Sequence, residues 1–373
     1  MTTIGMPTGT RMTDAGRWLA RIRALPLPDR IRVMNVCGGH ERSVSLSGMR
    51  SALPQNVEIV PGPGCPVCVC PEEDIYQAMQ LALQEQVVLV TFGDMLRVPV
   101  NAPKAEPRSL VEARAAGADI RPVASPLEAR EIAAGTERPV VFFAAGFETT
   151  TAPVASLFLE GVPANLSLLL SGRLTWPAVA MLLQSGEPGF DALIAPGHVA
   201  TVMGPEEWEF VPQQHEIPAA VAAFTAESLL AATWSVLRQK IDGRAFLDNC
   251  YRSLVRPGGN PVARQHLREV LQVEDANWRG IGVIPDSGFA LREAYAAHDA
   301  RRLFPDYNSQ ARRRMGEMPP GCDCAQVVLG KIYPNQCRLF GGACTPRNPV
   351  GPCMVSDEGA CRIWFSSGAY RAA

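Results

Sequence analysis

Six of the eleven cysteines crowd between Cys322 and Cys361, in a stretch rich in Gly and Pro and poor in apolar periodicity. Such a segment cannot bury enough apolar surface to hold itself, so a disulfide set, a zinc ion or an iron–sulfur cluster must staple it. The spacing is Cys322-x-Cys324-x12-Cys337-x6-Cys344-x8-Cys353-x7-Cys361. It lacks the paired Cys-x2-Cys knuckles of a zinc ribbon and the tight Cys-x2-Cys-x2-Cys run of bacterial ferredoxins. Six thiols are two more than one four-ligand centre uses. The pattern favours an iron–sulfur cluster with either structural cysteines or a redox pair beside it.

A second group lies near the N-terminus. Cys65-Pro66-Val67-Cys68 is a Cys-x-x-Cys on a Gly- and Pro-rich turn, an arrangement that brings two thiols together and activates one. Cys70 follows two residues later, either as a third thiol of the group or, the favoured reading, as a packed neighbour. Cys37-Gly38-Gly39-His40 puts a thiol and an imidazole on a turn whose glycines permit close approach of a ligand. Thiolates suit soft or borderline metals such as low-valent iron.

Short apolar runs position these groups. Ile31 to Val36, Val57 to Val60, Val87 to Phe92, Val140 to Ala145, Leu193 to Ala195 and Ile281 to Ile284 each lead into a glycine-bearing polar turn. They read as buried strands, and helical patterns such as Glu73 to Gln84 and Trp176 to Leu183 separate them. Alternation of this kind specifies an α/β fold with largely parallel sheet, whose ligands sit beyond the carboxyl ends of the strands. Val87-Val88-x4-Gly93-Asp94 is echoed by Val140-Val141-x4-Gly146-Phe147, which suggests two similar α/β domains around a cleft. The expected organisation is a helical segment over 1–30 packing on the C-terminal domain, α/β domains over 31–122 and 123–300, and a cysteine-rich domain over 301–373.

The 373 residues carry a net charge of −2, which offers no basic footprint for nucleic acid. The N-terminus has no apolar signal segment, and the longest apolar stretch, Ile217 to Leu237, is interrupted by Pro218 and Glu227. A cytoplasmic protein with no membrane insertion is expected, and in that compartment cysteines point to metal or redox chemistry.

Motifs along nearly the whole chain resemble the HypD family of NiFe-hydrogenase maturation factors. They are Cys37-Gly-Gly-His40-Glu41, Gly62-Pro-Gly-Cys65-Pro-Val-Cys68, Gly146-Phe-Glu-Thr-Thr150, Pro196-Gly-His198, Trp278-Arg-Gly-Ile-Gly-Val-Ile-Pro285, Phe340-Gly-Gly-Ala-Cys344-Thr-Pro and Gly351-Pro-Cys353-Met-Val-Ser-x-Glu-Gly-x-Cys361. The resemblance implies a scaffold that assembles the Fe(CN)2CO unit of the hydrogenase with a small HypC-type partner. It implies cyanide received from a HypE-type partner, with HypF upstream. It further implies a 4Fe–4S cluster on Cys322, Cys337, Cys344 and Cys361, with Cys324 and Cys353 as a redox pair. Cys37 resembles the iron-holding thiolate, with Cys65 and Cys68 as the thiol pair across the cleft. His40 and Glu148, in motif loops, are expected to handle protons or orient the ligand. The alternative is a thiol–disulfide oxidoreductase resembling ferredoxin–thioredoxin reductase.

Overall fold

The computed structural model describes residues 13–103, 105–186, 188–308 and 318–368. Among these residues, eleven strands form two sheets. They are β1 (Ile31–Asn35), β2 (Val57–Pro61), β3 (Val88–Phe92), β4 (Ile120–Val123), β5 (Val140–Gly146), β6 (Leu166–Arg173), β7 (Ala192–Pro196), β8 (Ala219–Ala222), β9 (Leu247–Asn249), β10 (Leu271–Trp278) and β11 (Gly282–Leu291). Sheet A has the order β2-β1-β7-β8-β9 and is parallel throughout. Sheet B has the order β10-β11-β6-β5-β3-β4, its parallel part β4-β3-β5-β6 extended by the antiparallel hairpin β10–β11.

The expected α/β class holds, and its physical basis is plain. β5 is buried at every residue, as a parallel strand covered by helices on both faces must be. The expected strands all form, and the Ile281 to Ile284 run opens the long antiparallel β11 instead of a parallel strand.

The domain layout differs from the sequential division. β3 precedes residue 122, β4 straddles it and β5 and β6 follow it, yet all four share sheet B. Likewise β1, with β2 on one side, pairs on its other side with β7, from far downstream. The echo between Val88 and Val140 joins neighbouring strands of one sheet, where these two residues stand in register. The motif therefore repeats within a sheet, and the two lobes are interleaved along the chain: β3 to β6 lie between β2 and β7, and β10 and β11 follow β9. Arg301 ties back to the sheet B lobe, through Asp74 at 2.9 Å and the β6 carbonyl of Leu170 at 2.9 Å, so the chain after residue 300 begins there.

Helix Asp14–Arg23 is started by Thr13, whose hydroxyl accepts from the Gly16 N–H at 3.1 Å. It packs on helix Ala226–Ile241 of the sheet A lobe, with Trp18 and Trp234 ring centroids 5.5 Å apart and Ile22 in the same core. This corrects the expected contact with the C-terminal domain: Ile22 and Trp18 find their apolar partners on that helix. The part of the segment over 1–12 lies outside the described residues.

Residues 318–368 contain only short helices, chiefly Cys324–Val328 and Ala360–Ser367. Helix Ala360–Ser367 packs on helix Gly38–Leu46, beside β1. The cysteine-rich region thus lies against the lobe that carries Cys37. No helix among the described residues is long and apolar enough to cross a membrane.

Candidate functional site

β1 and β2 are adjacent and parallel, with Asn35 opposite Pro61, so the turns at their carboxyl ends meet. Cys37 caps helix Gly38–Leu46 after β1, and Cys65 caps helix Pro66–Val69 after β2. Gly38 N–H donates to the Gly64 carbonyl at 3.0 Å. A Cβ on Gly64 would lie 2.4 Å from the Cys37 backbone, and one on Gly38 would lie 2.4 Å from the Glu358 carbonyl oxygen. Only glycine lets these backbones approach so closely.

The result is a cleft lined by Cys37, Cys65, Cys68, Cys353, Glu41 and Glu358, with Asn35 and the glycines between them. Cys65 and Cys68 are joined as a disulfide, and the Cys68 N–H donates to Cys65 Sγ at 3.2 Å. Burial pushes the half-buried Cys37 thiol up to about 12, and the Glu358 carboxylate adds to this, while the backbone N–H groups of His40 and Gly39 oppose it. Glu358 itself is raised by burial and by Asp94 nearby.

His40 takes a different place from the one its motif suggests. It is fully buried, with Nδ1 3.2 Å from Asn35 Oδ1 and Nε2 3.0 Å from the Ala222 carbonyl. Asn35 Nδ2 in turn donates to the Cys37 carbonyl at 3.2 Å. Burial lowers the His40 pKa to about 4, so the ring is neutral at physiological pH. His40 reaches Cys37 through Asn35, as a support behind the cleft wall. Phe224 packs between His40 and the exposed His198, at ring centroid distances of 4.7 and 4.0 Å.

Glu148 lies outside the cleft lining. It is fully buried at the end of β5, where its carboxyl accepts from the Thr175 N–H at 2.6 Å and the Thr175 hydroxyl at 2.7 Å. It thereby caps helix Thr175–Gln184. Burial raises its pKa to about 7, against the hydrogen bonds from Thr175. Glu207 is pushed up to about 8 by burial and by the charge of Glu148.

The C-terminal thiols are gathered. Cys322 and Cys324 sulfurs are 3.3 Å apart, and Cys324 and Cys353 both hydrogen-bond Cys361, whose pKa they lower to about 6. Cys344 Sγ accepts from the Val350 N–H at 3.3 Å, and the charge of Cys322 is felt by both Cys337 and Cys344. A Cβ on Gly351 would fall 2.4 Å from Cys322 Sγ and 2.6 Å from Cys324 Sγ, so the glycine leaves room that the sulfurs use. Among the described residues no three donors already surround a common metal-ion position. The donor chemistry nonetheless fits a 4Fe–4S cluster: soft thiols, a backbone N–H aimed at sulfur, and a cradle that a side chain would fill. Cys353 belongs to both groups, lining the cleft and bonding to Cys324 and Cys361.

Glu41 and Glu358, which the sequence does not single out by residue type, also line the cleft. The available signal was their position one residue after His40 and three before Cys361. Cys70 is buried, its sulfur 3.4 Å from Ser171 Oγ, as a packed neighbour should be.

A two-lobed α/β protein with a thiol-lined cleft backed by a cysteine-rich module is the class that these features define. Residues 14–368 match the family model described as "HypD: Hydrogenase formation hypA family". The chain belongs to the HypD family of hydrogenase maturation factors. It is 39% identical over 365 residues to the hydrogenase maturation factor HypD of Azotobacter vinelandii, covering 95% of this chain and 94% of the relative. The HypD of Rhizobium leguminosarum bv. viciae is 39% identical over 376 residues, covering 97% and 94%. That of Escherichia coli (strain K12) is 38% identical over 341 residues, covering 90% and 88%.

Proposed function

We propose that this protein is the cytoplasmic scaffold on which the Fe(CN)2CO unit of NiFe hydrogenase is assembled, the iron being its cargo. Cys37 supplies the anchoring thiolate from this chain, and a HypC-type partner supplies the other. Cyanide arrives from a HypE-type donor, itself charged by HypF. Cys65 and Cys68 are the dithiol across the cleft. Cys322, Cys337, Cys344 and Cys361 would hold a 4Fe–4S cluster, which supplies single electrons when bound. Cys324 and Cys353 form the redox pair beside it.

One observation carries this reading. Cys37, the Cys65–Cys68 disulfide and Cys353 line the same cleft, and Cys353 bonds to the thiols of the C-terminal group. A site that only stored a metal ion would have no use for a disulfide beside it. His40 and Asn35 hold the Cys37 loop in place, and the half-buried Cys37 thiol, its pKa raised, needs a metal to displace its proton.

The disulfide also supports a second reading, a thiol–disulfide oxidoreductase resembling ferredoxin–thioredoxin reductase. The two differ in iron content. A reductase carries iron in its cluster alone, whereas the scaffold gains one further low-spin iron with diatomic ligands. Infrared spectroscopy of the protein purified anaerobically with its partner should therefore show cyanide and carbonyl stretches. Their absence under maturation-competent conditions favours the reductase.

A further inference from the structure

Glu41 holds an anomaly that the roles above leave unused. Its carboxylate is 2% exposed. Oε1 is anchored twice, accepting from Trp364 Nε1–H at 2.7 Å and from the Arg50 guanidinium at 2.7 Å. Arg50 also lies over the Trp364 ring, 4.8 Å from its centroid. Oε2 is buried and has no hydrogen-bond partner, and Glu41 lines the cleft with Cys37 and Glu358. A buried anionic acceptor without a donor is costly to fold, so a rigidly held one beside a thiol marks a place where the donor arrives with a ligand.

We propose that Glu41 Oε2 is the acceptor that distinguishes unligated iron from the finished unit. This rests on the scaffold reading above. Ferrous iron enters carrying water, and metal-bound water is a strong hydrogen-bond donor. Cyanide and carbon monoxide bound through carbon present only acceptor ends. Each water that leaves as a diatomic ligand enters therefore removes a donor from the cleft. Glu41 holds the starting iron and loses its grip on the product, so completion of the ligand set favours release. The paired anchors on Oε1 keep the carboxylate from turning away to find another donor.

Glu41→Gln tests this on the full chain, since the amide can keep an oxygen for Trp364 and Arg50 while placing N–H groups where Oε2 stood. Anaerobic titration with ferrous iron alone, by competition with a chelator, should give one ion beyond the cluster for the wild type. Glu41→Gln should bind that ion roughly tenfold to a hundredfold more weakly. With the partner present, it should release the diatomic-ligated iron more slowly, because the amide donates to cyanide nitrogen. A merely structural role cannot weaken one and strengthen the other. Trp364→Phe, which removes a donor to Oε1 and spares Oε2, shows what a packing defect does: it should weaken both states alike. Wild-type affinity in Glu41→Gln, or no ferrous ion on the wild-type chain, overturns the inference and leaves the infrared test of the scaffold untouched. Full ferrous binding by Cys37→Ser instead removes the anchor, and with it the scaffold reading.

Discussion

The turns after β1 and β5 occupy the same kind of place, at the carboxyl end of a buried parallel strand, and they behave in opposite ways. After β1, Cys37 sits on closely packed glycines with its sulfur met by the backbone N–H groups of Gly39 and His40, and Glu41 keeps one oxygen unbonded. After β5, the Glu148 carboxyl spends both oxygens on Thr175, and nearby Ser171, Asp74, Arg173 and Arg301 satisfy one another. The topological rule locates candidate sites, but leftover bonding capacity decides which one does chemistry.

Breaking the comparison on the β1 side should give the largest effect. Cys37→Ser should abolish hydrogenase maturation, read as hydrogen uptake in a strain lacking the native factor, because a serine hydroxyl cannot replace a thiolate at neutral pH. The melting midpoint should stay within about 2 °C, since a half-buried loop thiol adds little to packing. Normal maturation by this variant would transfer the anchor to Cys65 or Cys68.

The thiol cluster comes next. Alanine at Cys322, Cys337, Cys344 or Cys361 should remove the brown cluster absorbance, whereas Cys324→Ala should retain it. Colour lost only in Cys324→Ala would mean that ligand and redox partner are exchanged.

On the β5 side the expected change is in stability. Glu148 has its carboxyl raised from 4.5 to about 7, so between those values the folded protein keeps a proton that the unfolded chain has lost. Stability should therefore fall as pH rises through that window, by about 3 kcal/mol, and the raised Glu207 carboxyl beside it carries the fall on towards pH 8. Glu148→Gln should flatten the profile in urea titrations while maturation persists. A maturation defect with an unchanged profile would give Glu148 the chemical role its motif suggests.

The strand-and-turn signals made most of this legible, because buried parallel strands and their glycine turns write themselves as local patterns. Membership of a sheet is not local. β3 and β5 pair through register and helix packing, and no apolar run states its neighbour. β8 hid in an alanine-rich stretch of low strand propensity, and β10 exposes Gln272 through Asp275 at the sheet edge. His40 looked reactive because imidazole is reactive, and only burial between Asn35 and Ala222 reveals its supporting place. Cys70, read as a packed neighbour, should give the smallest effect of all. Cys70→Ser should change stability by less than about 1 kcal/mol, in either direction, with maturation intact. A large maturation loss there would extend the reactive thiols beyond the disulfide.

The interleaving of the two lobes along the chain sets an order of events on the ribosome. β1 and β2 emerge early but cannot complete their sheet until β7, β8 and β9 follow, after the strands β3 to β6 have been made. Cys353 and Glu358, the far wall of the cleft, come near the end of the described chain. A nascent polypeptide therefore carries Cys37 and Cys65 long before it owns an enclosure for them. Synthesis itself withholds the finished cleft, and a chain interrupted short of Gly351 would carry Cys37 and Cys65 with one wall of their chamber missing.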